Sequence, residues 1–176
     1  MRSLLSVVLI LSLAAAPLAA QTREWKRYKN ADGNFTALFP GEPADSVNKT
    51  EAGAQSHTLL AQESGAVYTV VYTLMSSEQT VDEATFQVFK NAVFKELPKC
   101  EAGAEQPASP AVEGYIGRSY RLSCDMPNAR VAIVGNLYWG KHYAFAVMTM
   151  FPASAAEATS TEKKFFDSFA VIDPAK

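Results

Sequence analysis

The feature that most constrains this chain is a set of three consecutive apolar segments, Tyr115 to Cys124, Arg130 to Tyr138 and Tyr143 to Met150. They are separated by the short breaks Asp125-Met126-Pro127-Asn128 and Trp139-Gly140-Lys141-His142. In the last two segments alternation leaves no polar side. Val131, Ile133 and Leu137 alternate with Ala132, Val134, Asn136 and Tyr138, while Tyr143, Phe145 and Val147 alternate with Ala144, Ala146 and Met148. Segments of this kind joined by turn-forming residues pair as antiparallel strands. A half-solvated sheet would alternate apolar with polar, so two apolar faces predict the centre of a sheet covered on both sides.

The remaining elements are read outward from that centre. Ser56 to Gln62 and Val67 to Leu74 predict a hairpin through Glu63-Ser64-Gly65-Ala66, with Tyr68, Val70, Tyr72 and Leu74 on one face and a Thr-rich opposite face. Thr80 with Glu83 three positions on has capping-box spacing. It predicts a helix over 81–97, with an apolar stripe of Val81, Ala84, Val88, Phe89, Ala92, Val93 and Leu97 that ends at Pro98. Ser154 with Glu157 repeats that spacing and predicts a second helix over 155–168, where Ala158, Phe165 and Phe169 share a face. Phe35, Ala37 and Phe39 form a first strand after a lead-in from Trp25 and the Asp32-Gly33 turn, and Pro40 and Pro43 stop it. Residues 44–55 read as a polar loop, 99–114 as a loop with at most one weak edge strand, and 170–172 as a short last strand.

At the N-terminus, Arg2, an apolar run from Leu4 to Leu13 and the small-residue stretch Ala14 to Ala20 have the form of a secretory signal peptide cut after Ala20. The run is too short to span a bilayer. The expected organisation is a signal peptide at 1–20 and one globular domain at 21–176, exported to the periplasm or beyond, with no stable membrane insertion. Cys100 and Cys124 would then meet an oxidising compartment, where a disulfide is the natural expectation. Two free thiols are the alternative, because sequence does not bring two Cα atoms within the roughly 7 Å that bridging requires.

The chemistry that can be searched for is sparse. His57 and His142 are the two histidines, and they have no Cys-x-x-Cys or His-x-x-x-His companion, so no metal site is expected. Gly117-Arg118-Ser119-Tyr120-Arg121 lacks the second glycine of a nucleophile elbow, and Ser119 reads as a strand residue. Phosphate loops and dinucleotide fingerprints are absent, and no cofactor is expected. Net charge is −2, which gives no footprint for nucleic acid. Asn34-Phe35-Thr36 and Asn48-Lys49-Thr50 fit the glycosylation rule, and only the second lies in a predicted loop. Tyr138, Trp139, His142 and Tyr143 gather hydrogen-bonding aromatics at one hairpin turn, the composition of an interaction patch. The competing reading folds Trp139 back onto the end of the sheet.

Two short stretches look familiar together. They are Trp25 and Tyr28 followed by Asp32-Gly33-x-Phe35-x-x-x-Phe39-Pro40-Gly41-x-Pro43, and the closing Lys164-Phe165-Phe166-Asp167-Ser168-Phe169. They resemble exported bacterial proteins of the PsbP-like fold, a group that includes DcrB and LpqN. The resemblance implies an α+β fold in which an antiparallel β-sheet is flanked by two main α-helices as an α/β/α sandwich. It also implies an accessory or binding role and brings no catalytic motif. The resulting expectation is a soluble exported protein that binds a protein or small-molecule partner. The alternatives are a hydrolase or thiol enzyme whose site is assembled in space, and an apolar-ligand carrier using the space under helix 81–97.

Overall fold

The structure is a computed structural model that describes residues 24–49, 54–127, 129–154 and 160–173. The signal peptide at 1–20, Thr50 of the glycosylation triplet, Asn128 of the predicted turn, and Glu157 and Ala158 of the second helix lie outside the described residues.

The chain opens with β1 (Trp25–Asn30), β2 (Phe35–Pro40), β3 (Ala44–Lys49), β4 (Gln55–Glu63) and β5 (Ala66–Leu74), followed by α1 (Glu83–Lys95). Then come β6 (Cys100–Ala102), β7 (Gln106–Pro107), β8 (Ile116–Met126), β9 (Ala129–Trp139) and β10 (Tyr143–Pro152), and it closes with α2 (Ser160–Ser168) and β11 (Ala170–Val171). A large antiparallel sheet runs β3-β4-β5-β10-β9-β8-β6, with β7 also paired to β8, and a small one runs β1-β2-β11. As their two-sided apolar pattern requires, β9 and β10 lie inside the large sheet and a core covers each face. On one face Phe35, Phe39, Tyr68, Tyr72, Tyr138, Phe145, Phe165 and Phe169 pack between the two sheets and α2. On the other, Phe86, Phe89 and Val93 of α1 pack on Leu122, Leu137, Trp139 and Ala146.

The expected helix-flanked α/β/α sandwich is overturned. Strands hold 54% of the described residues, the two helices are short, and the chain is mostly β, with an eight-stranded and a three-stranded sheet. The extra strand content sits where the sequence read as lead-in and loop. The lead-in β1 pairs along its whole length with β2, and β3 pairs with β4 where a polar loop was expected. Both are edge strands with most side chains in water, so neither needs the apolar alternation by which strands are recognised.

Local signals hold with small shifts. The β4–β5 hairpin turns through Ser64 (φ 51°) and Gly65 (φ 81°), the paired left-handed residues of a two-residue hairpin loop. The first capping box is two residues later than expected. Asp82 accepts from Thr85 N–H at 2.8 Å and its own N–H donates to Thr85 Oγ1 at 3.3 Å. Phe86, Phe89 and Val93 set the buried face of the helix, so Val88 of the expected stripe faces water, 57% exposed. Asn34, at φ 57°, ties in the C-terminus: its Nδ2 donates to Asp173 O at 2.6 Å, and Oδ1 accepts from Asp173 N–H at 3.0 Å.

Cys100 and Cys124 form a disulfide between register partners on β6 and β8, 24 positions apart. It fastens a three-residue edge strand that is otherwise held by its short ladder, by Asp125 N–H to Lys99 O at 3.0 Å and Gly103 N–H to Arg121 O at 2.9 Å, and by Arg130 on Glu101. In the Cys100→Ala/Cys124→Ala double variant we expect unfolding free energy in urea to fall by about 2–4 kcal/mol. Amide exchange should rise first in 100–102; a fall below about 1 kcal/mol would mean that β6 is held by its neighbours alone.

Candidate functional site

The four aromatics of the expected patch do not meet on a surface. Tyr138 and Trp139 are consecutive in β9 and so point to opposite faces. Tyr138 is fully buried, stacks on Phe169 and donates its hydroxyl to Pro110 O at 2.8 Å, and burial pushes that hydroxyl up to about 12. Trp139 packs on Phe89 of α1 and donates Nε1–H to Thr80 O at 2.9 Å. Tyr143 is buried against Phe145, and His142, half-buried near Glu78, is the one of the four that reaches water to any extent. Trp139 therefore caps the sheet end, as the competing reading had it.

With both thiols in the bridge, no cysteine nucleophile is left for a thiol enzyme. His57 stacks on Tyr72 with its ring centroid 4.6 Å away, and its Nδ1 lies 3.5 Å from Asp45 Oδ1. Ser119 is a β8 strand residue opposite Asn136. Among the described residues no three His, Cys, Asp or Glu side chains converge as a metal site.

Under α1 the expected carrier space is closed. The crevice lined by Phe94, Leu97, Tyr120 and Met148 holds about 10 Å³, roughly one water. Polar bonds clamp the helix over it. Arg118 reaches Glu83 at 3.0 Å and Glu105 at 3.1 Å, Lys90 reaches Glu105 at 3.4 Å, and the Tyr120 hydroxyl donates to Glu105 at 2.8 Å. Burial works to raise the Glu105 carboxyl, but Tyr120, Lys90 and Arg118 outweigh it and hold Glu105 below the usual range.

The roomier concavity is on the opposite face, where β4 turns into β5, β10 ends and α2 begins. It holds about 150 Å³, and Glu63, Tyr68, Thr149, Phe151, Thr161 and Glu162 line it. Register builds its floor. Tyr68 and Thr149 are cross-strand partners, Thr149 in turn pairs with Val134, and Val134 pairs with Arg121. The Arg121 guanidinium lies 5.7 Å from the centre of the Phe151 ring. Thr149 is 1% exposed, and its hydroxyl has no hydrogen-bond partner among the described residues. Glu162 is 5% exposed; burial pushes its carboxyl above the usual range and Arg121 pulls the other way. Burial also raises the Tyr68 phenol, with a hydrogen bond from Thr161 opposing it and the charges of Glu63 and Glu162 adding to the rise. At the rim Trp25 donates Nε1–H to Glu63 at 2.9 Å, stands edge-on to Tyr68, and carries Lys164 Nζ 4.8 Å above its ring.

The sequence reading missed Thr149 and Glu162, although its own periodicities contain them. Glu162 stands three, four and seven positions before Phe165, Phe166 and Phe169, on the buried helical face. Thr149 continues the series Tyr143, Phe145, Val147 at period two. A polar residue on a stripe otherwise committed to the core is the signal that was available. No family model matches this chain, and no curated protein matches it.

Because the folded state favours protonated Glu162, the side chain's contribution is complete below the ordinary carboxylate range and is lost as pH rises through its elevated value. At neutral pH the ionised carboxylate is therefore a cost. We expect Glu162→Gln to raise the melting temperature at pH 7, by an amount that shrinks toward pH 4. A gain that does not change with pH, or a loss at pH 7, would show that the Arg121 attraction outweighs burial.

Proposed function

We propose that the protein is an exported, soluble binding protein of the cell envelope rather than an enzyme. In this reading it takes a small ligand, or the head of a larger one, in the cleft between the β4–β5 turn and α2. The observation that carries this is a cavity lined by Thr149, whose buried hydroxyl has no partner among the described residues, and by a buried carboxyl. An idle buried hydroxyl costs about 1–3 kcal/mol, and a ligand group that bonds to it recovers that energy on binding. A carboxyl with raised proton affinity favours a cationic or hydrogen-bond-donating ligand, and Tyr68 and Phe151 offer an apolar wall for its carbon body. About 150 Å³ is the size of a benzene-filled cavity and is below the roughly 300 Å³ of drug-sized pockets. The ligand class is thus a short aliphatic or small-ring amine, or a chain ending in one.

The resemblance to PsbP-like proteins supports the accessory role. Both stretches that carry it fold into a single unit, the β1–β2 hairpin and α2, joined by Phe39 on Phe165 at 5.4 Å and Phe35 on Phe169 at 5.9 Å. That unit forms one side of the cleft through Thr161 and Glu162 of α2.

The test uses n-butylammonium, with n-butanol and n-butyrate as comparisons, read by melting temperature and by Trp25 fluorescence. A ligand at ten times its Kd stabilises by about 1.4 kcal/mol, which raises Tm by roughly 3–6 °C. We expect that shift with butylammonium, a smaller one with butanol and none with butyrate. Thr149→Val should weaken both positive probes, and Glu162→Gln should remove the preference for the amine. Absence of a shift with either positive probe, or a preference for butyrate, would overturn the proposal.

A further inference from the structure

Strand β1 carries its backbone in a particular phase. Gly41 N–H donates to Glu24 O, so residues 24 and 41 are a hydrogen-bonded antiparallel pair. The register Trp25↔Pro40 through Asn30↔Phe35 then assigns the β2-facing groups to Lys26, Tyr28 and Asn30. The same phase turns Leu38 N–H away from β1, and it is indeed taken by Ser168 Oγ at 2.7 Å. What remains on the free side of β1 is the N–H and C=O of Trp25, Arg27 and Lys29. None of these six groups has a hydrogen-bond partner among the described residues, and β1 is the outer strand of its sheet.

The charge along this edge has one sign. Lys26, Arg27 and Lys29 are exposed and occupy three of the six positions of β1, and Lys163 and Lys164 follow on α2. Elsewhere the cations Lys90, Arg118, Arg130 and Lys141 sit in carboxylate pairs, while Lys49 on β3, Lys95 at the end of α1 and Lys99 in the loop after it do not among the described residues. Here Lys163 is paired with Asp167 on its own helix, Lys164 lies over Trp25, and Arg27 reaches Ser168 O at 3.4 Å. Lys26, Arg27 and Lys29 pair with no carboxylate among the described residues. In a chain of net charge −2 this is a local concentration of positive charge beside unpaired strand groups.

We propose that β1 is a docking edge for an extended acidic segment of a partner polypeptide, which adds as a fourth strand in the order partner-β1-β2-β11. Backbone pairing to Trp25, Arg27 and Lys29 holds the segment, and the carboxylates on one of its faces meet Arg27 and Lys29 while those on the other meet Lys26. Lysines on an outer strand also serve to repel unwanted strands. The two roles differ in what an acidic strand does, since it is attracted by the charge that repels a neutral or basic one.

The experiment measures anisotropy of a fluorescein-labelled peptide of six alternating Glu and Thr residues against the full chain. We expect saturable binding that weakens at least about tenfold between about 50 and 300 mM salt, and at least about tenfold in Lys26→Glu/Lys29→Glu. Arg27→Pro and Arg27→Ala lose the same charge, but proline also removes a free-edge N–H while leaving the bonds to β2. Binding to the proline variant should be about fivefold weaker than to the alanine variant, one backbone hydrogen bond's worth. Equal binding by the two would reduce the effect to general electrostatics and overturn strand addition. Binding to vesicles of one-third phosphatidylglycerol without binding to the peptide would assign the patch to a membrane. Self-association of the Lys26→Glu/Lys29→Glu variant, with no peptide binding by the wild type, would leave the lysines as guards of the edge.

Discussion

Burial of the central strands on both faces is the constraint from which the rest of the fold follows. Phe145, Val147 and Tyr138 on one side and Ala144, Ala146, Leu137 and Trp139 on the other are all withdrawn from water, and no single covering layer can do that. Full burial of each large side chain is worth roughly 1.5–3 kcal/mol, so two uncovered faces would outweigh the net stability of an ordinary domain. The chain covers one face with α1. It covers the other with a strand pair from its beginning and a helix from its end, Phe35 meeting Phe145 and Phe169 in one aromatic cluster. The termini of the described chain are thereby joined through the core.

The cleft follows from how far that cover reaches. Successive cross-strand rows on the covered face begin with Tyr138, Phe145 and Tyr72, pass through Asn136, Val147 and Val70, and arrive at Val134, Thr149 and Tyr68. Phe35 and Phe169 fill the space over the first row. Over the last, α2 brings Glu162 where another aromatic would have closed the layer. Tyr115 on the same core face also has a buried hydroxyl without a partner among the described residues; what distinguishes the cavity is that Thr149 stands there together with a carboxyl of raised proton affinity.

How much of this the sequence displayed depends on whether burial fixed the residue type. Strands β4, β5 and β8 to β10 were legible because one or both faces had to be apolar, and the Ser64-Gly65 turn because φ above zero restricts the residues that fit. Strands β1 and β3 were not, because an edge in water accepts Lys, Arg, Asp and Asn at nearly every position. That difference alone turned an expected helix-flanked sandwich into a mostly β architecture. The first cap was misplaced because Thr80, Asp82, Glu83 and Thr85 offer two overlapping boxes, and only the docking of Phe86 and Phe89 decides between them. The aromatic patch failed for the opposite reason. Composition at the turn pointed outward, while period two required Tyr138 and Trp139 to point apart, each into a core.

Trp25 connects the two surfaces for which a function is proposed. Its backbone lies on the free edge of β1, and its indole N–H holds Glu63 at the rim of the cleft while its ring sits between Tyr68 and Lys164. A strand added to β1 restricts the Trp25 backbone, and a group entering the cleft displaces or is displaced by the Glu63 carboxylate that the indole holds. By linkage, an effect of the edge on affinity in the cleft is matched by an equal effect of the cleft on affinity at the edge. The hairpin that closes the aromatic core thus touches both surfaces through Trp25, and α2 touches both through Lys164 and Glu162.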